Sequence, residues 1–138
     1  MKKQIITSVT AIFILLFTVY TSNAQNKKIT TATSNSATIE VIQFHSEHRC
    51  ITCLKIEKLT RATLANSFPN IPFTLVNVED KKNAKKAEQF EATGTALFLY
   101  NPKTGKKKDL TDFAFMKAGD EKKFEAELKK YIEDFIKS

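Results

Sequence analysis

The sequence predicts an α/β domain, with a central mixed sheet of about four strands flanked by helices. Three observations lead there. Segments rich in β-branched and aromatic residues alternate with segments whose apolar residues recur at helical spacing. A proline- and glycine-containing turn joins the last two strand-like segments. The chain then closes on an amphipathic helix able to cover one face of a sheet.

Taken in order, Thr38 to His45 (TIEVIQFH) reads as the first strand. A helix fits from Cys50 to Phe68, with Cys53, Ile56, Leu59, Thr63 and Leu64 on one face. Phe68-Pro69-Asn70 ends it, because proline disfavours helical geometry in the residue before it. Phe73 to Val78 (FTLVNV) is apolar on both faces, the pattern of a buried central strand. Lys82 to Phe90 carries Ala84, Ala87 and Phe90 at helical spacing and is broken by Thr93-Gly94-Thr95. Ala96 to Tyr100 (ALFLY) is a third strand, and Asn101-Pro102-Lys103-Thr104-Gly105 turns the chain into a fourth, expected near Lys108 to Phe115. Phe124, Leu128, Tyr131, Ile132, Phe135 and Ile136 form the apolar stripe of the closing helix. Strands joined through helices are expected to be parallel, and the hairpin antiparallel.

The start of the chain follows other rules. Lys2 and Lys3 precede an apolar stretch, Ile5 to Tyr20, which falls short of the roughly 20 residues that span a bilayer core. Small residues follow at Ser22-Asn23-Ala24. A charged start, a short greasy middle and a small-residue exit make residues 1–24 a secretory signal, cleaved after Ala24. Residues 25–37 are polar and small and read as a flexible linker, leaving 38–138 as the single domain. The expected destination is the periplasm or the extracellular space, with the membrane met only through the uncleaved signal.

The chain of 138 residues has 22 basic and 15 acidic side chains, a net charge of +7. Its lysines lie in scattered groups, and no basic run alternates with aromatics as a nucleic-acid stacking platform would require. The charge is therefore that of a solvated surface, and no nucleic acid is expected as a partner. A monomer is expected.

The chemistry centres on its two cysteines, Cys50 and Cys53. A pair this close would close too small a loop to constrain the unfolded chain much, so stability is a poor reason for it. At i and i+3 on the first turn of a helix the sulfurs face one side, within disulfide reach. Cys50 would meet the positive helix end and its unpaired N–H groups, which favour thiolate over thiol. Arg49 adds a fixed positive charge next door and His48 a conditional one, so both would tune the thiol. Cys53, one turn in, would be the shielded, resolving thiol.

A CxxC pair where a first strand runs into a helix resembles the thioredoxin family over residues 38 to 136. The residues that carry the likeness are Val41-Ile42-Gln43-Phe44, the loop His45 to Arg49, and Cys50-Ile51-Thr52-Cys53. Val76-Asn77-Val78-Glu79-Asp80 is similar to the family's second strand and turn, and Phe90 to Ala96 to the segment that holds its cis-proline. Phe113 to Gly119 and Asp120 to Ile136 resemble its last strand and helix. The resemblance implies thiol–disulfide exchange at Cys50 and Cys53, and substrate contact at Thr95, Ala96 and Arg49. It further implies protein thiols or disulfides, or a membrane reductase, as partners.

Three positions depart from the family. Arg49 replaces a tryptophan, and Gln43, which cannot titrate, falls on or near the place of a buried acid. Ala96 stands at the cis-proline, and a cis bond before a non-proline costs about 3 kcal/mol, so Thr95–Ala96 is expected to be trans. More narrowly, His48-Arg49-Cys50-Ile51-Thr52-Cys53 with Gly94-Thr95-Ala96 looks like a small family labelled as a nitrophenyl-compound nitroreductase subunit. That label would imply nitroaromatic reduction; a separate alternative is a non-catalytic binding module, or nitroreductase-associated subunit, in which the disulfide is inert. The sequence carries no flavin or nicotinamide fingerprint, so no cofactor beyond the redox-active disulfide is expected. The alternative is a metal: His45, His48, Cys50 and Cys53 offer two imidazoles and two sulfurs, a set suited to zinc or copper(I).

Overall fold

A computed structural model describes residues 39–138. The signal and linker readings for residues 1–24 and 25–37, and Thr38 at the head of the expected domain, lie outside the described residues. β1 (Glu40–His45) leads through α1 (Ile51–Ser67) to β2 (Phe73–Asn77), and a 3₁₀ turn (Lys81–Asn83) runs into α2 (Ala84–Gln89). β3 (Ala96–Tyr100), β4 (Lys107–Asp109), α3 (Thr111–Lys117) and α4 (Glu121–Lys137) complete it. The four strands form one mixed sheet, as the alternating segments predict, and their order in it is β2-β1-β3-β4.

Alternation along the strands sorts the core into two layers. Val41 of β1 and Leu97 and Leu99 of β3 face α1, α3 and α4, where they pack with Ile56, Leu59, Phe113, Phe124, Leu128 and Ile132. The residues between them, Ile42, Phe44 and Phe98, face the other way and pack with Val76, Phe90 and Ala92. Phe44, Phe90 and Phe98 form a cluster of tilted and edge-on rings with centroids 5.1–5.9 Å apart, the spacing at which aromatic pairs attract beyond the area they bury. The side chain of Asp120 caps α4 by accepting from the Lys123 N–H at 3.1 Å.

Three expectations are corrected. β2 is an edge strand and not a central one; β1 and β3 hold the middle. An edge strand of a two-layered sheet still has both faces covered, here with the Arg61 guanidinium lying over the Phe73 ring at 4.7 Å. Next, β1 and β2 are parallel, but β3 runs antiparallel to β1 although a helix precedes it. The short α2 does not carry the chain back along the sheet. β3 starts where β1 ends, with Ala96 opposite Phe44.

Finally, the fourth strand stops at Asp109, and Phe113 to Gly119 is not a strand: Thr111–Lys117 is α3. The Asp109 carboxylate accepts from the Thr111 N–H at 2.8 Å and starts the turn. Leu110, Phe113 and Ala114 then fall at i, i+3 and i+4 and are all buried.

β4 is the other edge. Lys106 just before it and Lys107 and Lys108 within it alternate in facing, their amines 5.5 Å from the Phe135 ring, 5.2 Å from Phe90 and 5.3 Å from Tyr131 respectively. Gly105, at φ 74°, closes the turn before it in the left-handed region that glycine adopts without strain.

Glu91 occupies the same region, at φ 54°, without that freedom, and is the sole non-glycine to do so among the described residues. It ends α2: the Glu91 N–H donates to the Glu88 carbonyl at 3.0 Å and the Ala92 N–H to Ala87 at 2.9 Å. That paired arrangement usually has glycine in the left-handed place. Glu91→Gly is therefore expected to raise the unfolding free energy by about 1 kcal/mol. The measurement is urea unfolding; a midpoint that falls would show that the glutamate side chain contributes more than its backbone costs.

Candidate functional site

Cys50 is the N-cap of α1, in extended geometry, and its Sγ accepts from the Cys53 N–H at 3.1 Å. The sulfur thus takes the place that serine, threonine or aspartate oxygen takes at most helix starts, receiving one of the otherwise unpaired N–H groups of the first turn. Cys50 and Cys53 form a disulfide with their Cα atoms 5.1 Å apart. The two sulfurs differ in access: Cys50 is exposed, and Cys53 is 4 % exposed.

Two polar side chains converge on Cys53. Thr95, just before β3, reaches its Sγ from Oγ1 at 3.3 Å. Gln43 is fully buried on the α1 face of β1 and donates from Nε2 to the Cys53 carbonyl at 2.9 Å. Its Oε1 is buried with no hydrogen-bond partner among the described residues. The register Gln43↔Leu97 and Phe44↔Ala96 brings the start of β3 beside the end of β1, which is how Thr95 comes to the sulfur. Ala96 opens β3, half-buried, and no peptide bond among the described residues is cis, so Thr95–Ala96 is trans.

Arg49 does something the sequence does not announce. Its Nη1 lies 2.6 Å from the Glu57 carboxylate, two turns along α1, with its side chain 20 % exposed. Nε and Nη2 are buried with no partner among the described residues. Glu57 also accepts from Arg61 Nε at 2.8 Å. Burial opposes the Glu57 charge, but hydrogen bonds and Coulomb attraction from Arg61 and Arg49 hold its carboxyl below the usual range. The positive charge expected to act on Cys50 is thus matched by a carboxylate, and the contact also ties the loop before Cys50 to the helix. The i, i+4 spacing of Glu57 and Arg61 is a visible signal of that pair. Arg49 has no comparable spacing to point to it.

The histidines make local contacts. His45 ends β1, half-buried, and its Nδ1 lies 2.9 Å from the Ser46 carbonyl, to which it can only donate. His48 is exposed, and its own carbonyl accepts from Ser46 Oγ at 3.1 Å. Among the described residues no three His, Cys, Asp or Glu side chains gather as a metal site would require, and with the sulfurs joined neither is a thiolate ligand. The structure thus brings together Cys50, Cys53, Thr95 and Gln43.

Fold and site together define a class: an α/β domain with a CxxC disulfide at the head of its first helix, consistent with a thioredoxin-like fold. No family model, curated protein or solved structure matches the chain.

Proposed function

We propose that the protein is an exported thiol–disulfide oxidoreductase or electron carrier of the thioredoxin-like class, working through Cys50 and Cys53. The observation that carries this reading is the asymmetry of the pair. The exposed sulfur is the one that receives a helix N–H, and the shielded one lies against Thr95. Reduced, Cys50 attacks a partner disulfide as a thiolate and expels one partner thiolate. Cys53 then attacks the Cys50 sulfur, releasing the second partner thiol and closing the intramolecular disulfide. Two electrons pass from the protein to the partner, and the reverse sequence oxidises a partner dithiol. Protein thiols or disulfides, or a membrane reductase, are the partners, in the periplasm or outside the cell.

The test is to equilibrate metal-free protein in graded dithiol/disulfide buffers, quench with an alkylating agent and read the labelled cysteines by mass. One two-electron transition, with Cys50 labelled before Cys53 in the reduced form, is the expected result. A pair that never reduces, or equal labelling of both sulfurs, would leave an inert disulfide in a binding module. Stoichiometric zinc or copper on the reduced protein, lost in His45→Ala and His48→Ala, would replace the redox reading with a metal site.

A further inference from the structure

The two sulfurs are unequally equipped to carry charge. Cys50 is exposed and its Sγ receives the Cys53 N–H at 3.1 Å, so a thiolate there has both water and a helix donor. Cys53 is 4 % exposed, and its own N–H is committed to Cys50. Gln43 directs its Nε2 proton to the Cys53 carbonyl and has no group that titrates. Burial disfavours a thiolate, yet a resolving cysteine reacts only as one.

The donor that remains is Thr95. Its Oγ1 lies 3.3 Å from Cys53 Sγ, and among the described residues neither atom has another hydrogen-bond partner. The sheet sets this position: Ala96, next in the chain, pairs with Phe44 at the end of β1 and holds the hydroxyl against the first turn of α1. Given to a disulfide sulfur such a bond is weak, whereas given to a thiolate it is charge-assisted and much stronger.

We infer that Thr95 is a catalytic residue of the exchange reaction, its hydroxyl stabilising the Cys53 thiolate both as it closes the disulfide and as it leaves. The inference rests on the exchange reading above. In the closing direction Cys53 gives its proton to water, and its thiolate attacks the Cys50 sulfur of the mixed disulfide. The Cys53–Cys50 bond forms, the bond from Cys50 to the partner sulfur breaks, and the partner leaves as a thiolate that water protonates. In the opening direction a partner thiolate attacks Cys50, and Cys53 departs with the electron pair towards the same hydroxyl.

To test this, reduced protein is mixed with oxidised glutathione, quenched in acid at set times and weighed by mass spectrometry. The reduced, glutathione-bound and disulfide forms are thereby counted. Thr95→Val keeps the shape and removes the proton; Thr95→Ser keeps the proton. A hydrogen bond to an ionised sulfur raises the thiolate population by about tenfold or more. About half of that gain, on a logarithmic scale, is cancelled because a more acidic thiol is a weaker nucleophile.

Thr95→Val is therefore expected to slow the closing step about three- to fivefold, so that the glutathione adduct at Cys50 accumulates. Formation of that adduct should change by less than about twofold, and Thr95→Ser should restore the closing rate. A closing rate unaltered in Thr95→Val would overturn the inference. So would a Thr95→Ser variant as slow as Thr95→Val, which would make packing of the methyl group the cause. Equal slowing of both steps would replace it with a substrate contact at Thr95. An unaltered protein that forms neither adduct nor disulfide would sink the exchange reading, and the inference with it.

Discussion

Replacing Gln43 by glutamate is expected to destabilise the protein by about 3–4 kcal/mol at pH 7 and by much less at pH 4. Gln43 is 0 % exposed and donates to the Cys53 carbonyl at 2.9 Å. An ionised glutamate has no proton to give that carbonyl, and burial disfavours its charge, so its folded-state pKa would rise above the unfolded value of about 4.3. Linkage gives the sign. Below about pH 4.3 the carboxyl is protonated in both states and its O–H can donate to Cys53, so stability is fully present. As pH rises towards the raised folded pKa the unfolded chain ionises first, and stability falls by about 1.36 kcal/mol per pH unit across the gap between the two pKa values. A gap of about two to three pH units accounts for the expected loss. Urea unfolding of both proteins at pH 4 and pH 7 measures it. An identical loss at both would mean that the carboxylate finds water or a cation beside Cys53, and that the site is not dry.

The second large effect separates the two sulfurs. Cys53→Ser is expected to trap a mixed disulfide with its partner at Cys50, because attack is intact and the resolving thiol is gone. Cys50→Ser should trap nothing and lose disulfide exchange by at least about a hundredfold, since Cys53 is 4 % exposed and a bulky disulfide cannot align with it. Non-reducing mass spectrometry after incubation with a disulfide-bearing protein shows which variant carries an adduct. Equal trapping by both would mean that Cys53 becomes accessible on reduction, and the assignment of attacking and resolving roles would fall.

How much of this the sequence announces depends on the range of the signal. β3 is found where ALFLY places it, and the buried face of α1 holds Cys53, Ile56, Leu59, Thr63 and Leu64, because periodicity is a local property. That β2 lies at an edge is not local. Phe73 to Val78 reports that both faces are covered and says nothing of a neighbour to the side. α3 does carry a local signal, with Asp109 before Thr111 and Leu110, Phe113 and Ala114 at helical spacing. The same residues, following the Asn101–Gly105 turn, also read as the far arm of a hairpin, and periodicity over so short a stretch does not separate the two. At the site, the positions of Cys50, Cys53 and Thr95 follow from strand and helix order. The Arg49–Glu57 contact does not, since it joins two long side chains across two helical turns.

The lysines along β4 bear on how the molecule behaves in company. An outermost strand offers unpaired backbone groups on which another chain can add itself, the first step towards fibrils. Here the approach of a second copy, edge against edge, would press two rows of ammonium groups together, each resting on its own aromatic ring. Mutual repulsion of those rows would oppose such an addition, most strongly in dilute salt. A crowded compartment is the setting in which such a guarded border matters, because there a small sheet protein meets its own kind most often.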